Sequence, residues 1–218
     1  MWHSYKNGKS SINGYLEDYC FTIEAYLALY EASFNEKWLT EAKKLADYSI
    51  NHFHDVNSGM FFFTDKDDPK LIARKMEVND NVIPSSNSSM AKGLFLLSKY
   101  FENDNYLQIS QQMVKNVQLE FNSYLSGYSN WATLALNFSE PFYELAISGT
   151  EAEEKVLEIY QNYIPNKLVV GNTSERTTLP LLENKWIEGQ TTIYVCENKV
   201  CQLPVTSVDK AKSQILFQ

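Results

Sequence analysis

A repeat constrains this chain more than any other feature. Asn35-Glu-Lys-Trp38-Leu39-Thr-Glu-Ala42 returns 68 residues later as Asn103-Asp-Asn-Tyr106-Leu107-Gln-Ile-Ser110. The register continues through Leu45 with Met113 and Phe53 with Phe121. An apolar helix is predicted before each copy, over residues 15–33 and 88–101. In the first, Leu16, Tyr19, Ile23, Leu27 and Tyr30 follow three- and four-residue spacing. Cys20, Phe21, Ala25, Ala28 and Leu29 widen that stripe until most of the helix is apolar, so it should be covered on several sides as an inner helix. The helix opened by Asn35 sets Leu39, Ala42, Ala46, Ser49 and Phe53 against Lys43, Lys44 and Asp47, the pattern of an outer helix. Such inner-outer pairs cannot bury their faces alone and must stack on neighbours.

A third inner helix is predicted near Gly127, through Trp131, Leu134 and Leu136. Between the two pairs, Met60–Thr64 reads as a strand, Asp65–Pro69 as a turn and Leu71–Val78 as a returning strand, an inserted β-hairpin. After Pro141 the pattern changes to strand (142–147), helix (151–163), strand (167–170) and a further strand (191–195). The expectation is therefore a mainly α chain: a partial (α/α) toroid of antiparallel helix hairpins over residues 1–139, with a small α/β tail over 140–218 packed on it.

Composition sets the limits. At 218 residues the chain can bury roughly 70% of its unfolded surface and needs neither disulfides nor a metal to fold. The net charge of −8, from 19 basic and 27 acidic side chains, argues against a nucleic-acid partner. No run of 18 apolar residues exists, so no membrane span is expected. Three cysteines, an odd number, suit reduced thiols in a cytoplasmic protein. Cys196 and Cys201 are separated by four residues, wrong for a CxxC pair or a zinc site, and read as structural or redox thiols. Aromatics at 14% suit helix packing or a groove that stacks sugar rings.

The densest polar stretch runs from Arg74 through Glu77, Asn79, Asp80, Pro84, Ser85 and Asn87 to Ser88. Ser85 or Asn87 can cap the helix that follows. Alternatively, Arg74, Glu77 and Asp80 converge with Ser85 and Asn87 on a central cavity, since an acid, a base and hydroxyl-binding amides are what sugar chemistry requires. Glu17, Glu24 and Glu31 recur every seven residues on one helical face, with Asp18 beside the first. They either favour the helix dipole or face a wet hollow. His52, His54 and Asp55 look like metal ligands, but positions i and i+2 diverge on a helix, so no metal is expected.

Several strings together resemble one family: Gly14-Tyr-Leu-Glu17-Asp18-Tyr19, Phe61-Phe-Phe-Thr64, Asp80-x-x-x-Pro84-Ser85-x-Asn87-Ser88, and Cys196-Glu197-Asn198-x-x-Cys201-Gln202-Leu203-Pro204. They look like the C-terminal part of the thioredoxin-domain-containing proteins related to the spermatogenesis-associated thioredoxin-like protein. Ser86 stands where that family usually has Gly, and Cys20 where it usually has Ala. The resemblance implies an N-terminal thioredoxin-like domain elsewhere and a six-hairpin toroid similar to N-acylglucosamine 2-epimerases and glycosidases. It also implies a small sugar as ligand and either a missing N-terminal half or self-association, with no cofactor. Glu17, Asp18, Arg74, Glu77, Asp80, Ser85 and Asn87 would line the pocket. Toroid epimerases use histidines, and this chain offers none facing the cavity, so no catalytic residue is assigned. The alternative is a non-catalytic interaction module of a redox protein.

Overall fold

The computed structural model describes residues 1–69 and 72–215. Asn7-Gly8 carries the chain through two positive φ angles, 52° and 77°, and folds β1 (Trp2–Lys6) back on β2 (Lys9–Asn13) with Lys6 opposite Lys9. There follow α1 (Leu16–Ser33), α2 (Lys37–Phe53), β3 (His54–Asp55), β4 (Met60–Phe61), α3 (Ser86–Phe101), α4 (Asp104–Val117), the short α5 (Phe121–Tyr124) and α6 (Ser129–Ser139). The tail adds β5 (Tyr143–Ser148), α7 (Ala152–Tyr160), β6 (Lys167–Asn172), β7 (Thr192–Glu197), β8 (Val200–Cys201) and α8 (Val208–Gln214). The fold is mainly α with small sheets, and no helix among the described residues is long and apolar enough to cross a membrane.

Two units form. The first gathers Met1–Leu27, Leu39–Lys99 and Asn103–Ala135; the second gathers Ala28–Trp38, Tyr100–Glu102 and the chain from Leu136 onward. Short links make α1–α2 and α3–α4 antiparallel hairpins. The repeat is visible at the links. Phe34 and Glu102, 68 residues apart, take φ angles of 47° and 50° directly after α1 and α3. Asn35 Oδ1 then accepts from Lys37 N (3.1 Å), and Asn103 Oδ1 accepts from Asn105 N (3.0 Å) and Tyr106 N (3.2 Å). Each asparagine satisfies backbone donors that the new helix cannot.

In the first unit Tyr19 stacks on Tyr48 at 5.1 Å, Tyr106 donates to Asp47, and Ser110 Oγ donates to Ala91 O at 2.7 Å, tying α1, α2, α3 and α4 together. Leu16, Ile23, Leu39, Phe53, Phe61, Met90, Phe95 and Trp131 are fully buried, each stabilising the unit by roughly 1.5–3 kcal/mol.

One expectation needs correction here. Of the returning strand expected over Leu71–Val78, none forms among the described residues 72–78. Leu71 lies outside the described residues, and 72–78 carry no ladder, although Lys75 O accepts from Phe63 N at 2.7 Å. Instead β4 pairs with β3 on one edge, and Asn87 occupies the other: Phe61 N donates to Asn87 Oδ1 (2.8 Å), and Asn87 Nδ2 donates to Phe61 O (2.9 Å). One buried amide takes the bonds a third strand would have made. α1 buries Leu16, Tyr19, Cys20, Ile23, Leu27 and Tyr30, while Ala25, Ala28, Leu29 and Ala32 form one exposed stripe.

In the second unit the sheet has order β6-β5-β7-β8. β5 runs parallel to β6 across the α7 crossover, and β7 is antiparallel to both β5 and β8. β5 is buried along its whole length, as a central strand must be. Asn198 and Lys199, at φ 48° and 68°, make the two-residue turn between β7 and β8. Beside that turn Cys196 and Cys201 face each other across the strands and are joined as a disulfide. The expectation of reduced thiols is thus corrected for this pair, while Cys20 is free and buried. Glu31, read as either a helix-dipole partner or the lining of a wet hollow, accepts from Tyr100 Oη (3.0 Å), Val169 N (3.1 Å) and Tyr160 Oη.

Candidate ligand-binding face

Most of the polar string around Asp80 serves the backbone. Asp80 Oδ1 accepts from Ser85 N (2.9 Å) and Ser88 Oγ (2.6 Å), and Oδ2 accepts from Asn130 N (2.9 Å). That one carboxylate fastens the loop before α3 to the first turn of α6. Ser85 caps α3, its Oγ accepting from Ser88 N (3.1 Å) and donating to Val78 O (2.9 Å). Asn87 is the surrogate strand already described, and its Nδ2 also donates to Glu77 O at 2.8 Å. Arg74 lies over the Phe62 ring at 4.1 Å and donates to Thr64 O and His52 O. Asp18 closes the first turn of α1, accepting from Tyr15 N at 2.8 Å, and meets His3 Nδ1 at 2.9 Å. These five expected ligand groups are spent on structure.

Glu17 and Glu77 differ. Their side chains have no hydrogen-bond partner among the described residues. Burial raises the Glu17 pKa above the ordinary carboxylate value, Glu77 and Asp18 raise it further, and His3 opposes them. One turn pair further along α1, burial also raises Glu24, against the pull of Lys92 and the Ser89 hydroxyl. Glu24 Oε1 is buried without a hydrogen bond of standard geometry, and so are Ser86 Oγ and Ser89 Oγ. Both serines are at most 1% exposed. α1 and α3 meet closely here: a methyl at Gly93 would lie 3.1 Å from Ile23 Cγ2. Cys20, between the two glutamates, has its thiol pushed well up by burial first and by Glu24 next, which makes it a poor nucleophile. Sequence reasoning missed Ser86 and Ser89. The available signal was their three-residue spacing, continued by Gly93, along one face of α3.

At the N-terminal end of α1, Tyr15 stacks on Phe63 at 4.8 Å and tilts against His3 at 4.7 Å. The Tyr15 ring borders a cavity of about 260 Å³ with Ile12, Asn13, Thr64, Asp68 and Pro69. The second unit holds a larger hollow, about 600 Å³, at Thr177, Thr178, Glu183, Asn184 and Trp186. Its two threonine hydroxyls already donate to Glu36, at 2.7 and 2.5 Å. The first unit therefore offers the chemistry: an aromatic shelf at Tyr15 and, along α1 and α3, two carboxyls whose pKa burial raises and two buried serine hydroxyls.

No family model matches the chain. It is similar to spermatogenesis-associated protein 20 of Homo sapiens, 27% identical over 204 residues, and of Rattus norvegicus, 26% identical over 229 residues; each match covers 88% of this chain. An uncharacterized protein of Caenorhabditis elegans is 22% identical over 212 residues, covering 94% of the chain. The matched region is 26% of the human and rat proteins and 29% of the nematode protein, so the chain spans little more than a quarter of these relatives. The similarity supports the family resemblance seen in the sequence motifs.

Proposed function

We propose that this chain is the C-terminal part of a larger toroid of helix hairpins, and that its first unit binds a small polyhydroxylated molecule of the carbohydrate class between α1 and α3. The carrying observation is the buried polar set on α1 and α3: Ser86 Oγ has no partner among the described residues, and Glu24 Oε1 and Ser89 Oγ lack a hydrogen bond of standard geometry, although the Ser89 hydroxyl favours the Glu24 carboxylate. Buried polar atoms nearly always have partners, and leaving one unpaired costs roughly 1–3 kcal/mol. A sugar supplies hydroxyls that donate to a carboxylate and accept from serines, and its apolar ring face suits a Tyr15-type shelf. Binding is the assigned role. Burial raises the Glu17 and Glu24 carboxyl pKa values, but without an assigned base partner both are ligand-binding groups.

A thermal-shift and calorimetric screen of neutral and N-acetylated monosaccharides tests this reading. At least one sugar should raise the melting temperature, and Glu17→Gln should weaken that sugar by about tenfold. Ser86→Ala carries a second signature: it should stabilise the free protein by about 1 kcal/mol, by removing an unpaired hydroxyl, while weakening the sugar. No shift with any sugar, together with a Ser86→Ala protein no more stable than the parent, would overturn the proposal.

A further inference from the structure

His52 was set aside as a metal ligand because His54 diverges from it. The structure gives it other neighbours. His52 lies in the last turn of α2, and the loop after β4 returns Asp65 and Asp67 to it: Nδ1 lies 3.1 Å from Asp65 Oδ1 and 3.1 Å from Asp67 Oδ2. One ligand atom from each side chain lies within 4.8 Å of the other two.

We propose that His52, Asp65 and Asp67 bind a six-coordinate divalent transition cation of the Mn²⁺ class. Four observations carry this. A ring nitrogen holds at most one proton, yet two carboxylate oxygens converge on Nδ1 at the same distance, so one proton cannot serve both well. With metal–ligand bonds of about 2.1–2.2 Å, the two nitrogen–oxygen separations of 3.1 Å each subtend about a right angle, which matches octahedral coordination by a mixed nitrogen and carboxylate set. The surroundings orient the ligands. Tyr48 stacks on the His52 ring at 3.9 Å and 6°, and its hydroxyl donates to Asp65 Oδ2 at 2.7 Å, while Oδ1 accepts from Asp67 N at 2.9 Å and faces the imidazole. Such outer contacts are what fix metal ligands in place. Finally, the Asp65 side chain is fully buried while that of Asp67 is 67% exposed, so the site has a rigid floor and an open side for water ligands. Two carboxylates and a neutral imidazole balance a dication. Arg74 is committed to the carbonyls of Thr64 and His52.

Titration of the full chain with MnCl₂, followed by calorimetry and by the loss of the free-ion Mn²⁺ paramagnetic resonance signal, tests this inference. One ion per chain should bind saturably, and Asp67→Asn should weaken it at least about tenfold. Because Asp67 is exposed, this variant should keep the parent's metal-free melting temperature, so it decides even where His52→Gln fails to fold. Asp55→Asn, an exposed carboxylate bound within its own turn, should leave Mn²⁺ affinity unchanged. Absence of saturable uptake, or uptake unaltered by Asp67→Asn, overturns the inference. The outcome is independent of the sugar screen, since neither site shares a ligand group.

Discussion

Glu24 places a carboxylate where water cannot fully reach it, and burial raises its pKa from the usual 4.5. The sign of the consequence follows from proton binding. Between the unfolded and folded pKa values the native state holds more protons than the unfolded chain, so stability falls as pH rises through that window. Above the folded pKa the penalty is complete; below about pH 4.5 it vanishes. Glu24→Gln should therefore be more stable than the parent at neutral pH, by an amount that shrinks to nothing on acidification, measured as urea midpoints across pH 4–8. A gain that is constant with pH, or that grows in acid, would refute a burial-raised Glu24. The same residues show how much of the site was legible. Asp80, Ser85 and Asn87 stood out as a short polar string before a helix, but short polar side chains serve caps and ligands equally well. Spacing cannot tell them apart, and here Asn87 does something no local pattern encodes, replacing a strand edge 26 residues away. Glu17 was legible because it was acidic on an apolar helix. Ser86 and Ser89 were not, because a serine inside a helix signals nothing until a facing helix buries it.

Among the elements, the β5–α7 junction makes the sharpest demand on sequence. Gly149 holds φ at 142°, and a Cβ there would sit 2.4 Å from Thr191 Cα. Gly149→Ala meets both backbone strain, about 1–3 kcal/mol, and overpacking against a backbone atom. We expect a loss of about 2–4 kcal/mol in urea unfolding, whereas Gly189→Ala, at φ 73° with open space around it, should lose only about 1 kcal/mol. Equal effects at the two glycines would show that the junction relaxes freely. Helices α1 to α4, α6 and α7 were legible because apolar spacing agrees with asparagine caps at α2 and α4 and with Ser85 at α3, while periodicity alone sufficed in the others. The β1–β2 hairpin was missed although Asn7-Gly8 is a strong turn signal, because its strands are mostly exposed and lack alternation. The β7–β8 hairpin was missed for another reason. Asn198-Lys199 carries no glycine, and the disulfide that closes the strands depends on their register rather than on cysteine spacing.

On the scale of the whole molecule, two forces oppose each other. Ala25, Ala28, Leu29 and Ala32 leave a bare apolar stripe on α1, and Leu29 alone is 43% exposed. Singly exposed apolar residues are ordinary, but a continuous stripe on an otherwise apolar helix favours a covering surface. In the longer relatives, further hairpins of the proposed toroid would cover it; for this chain by itself the available cover is another copy. The net charge of −8 works against that, because two acidic molecules repel at long range while burial acts only at contact. The balance predicts association that strengthens with added salt, the reverse of what ion-pair contacts would give. Sedimentation velocity over a range of concentrations should show a monomer giving way to larger species, more readily at high than at low salt. Leu29→Glu should shift the midpoint to at least about tenfold higher concentration, since it removes apolar area and adds a charge to the contact. A chain that stays monomeric at every concentration and salt would mean that small alanine side chains leave too little apolar area to overcome the entropy of association.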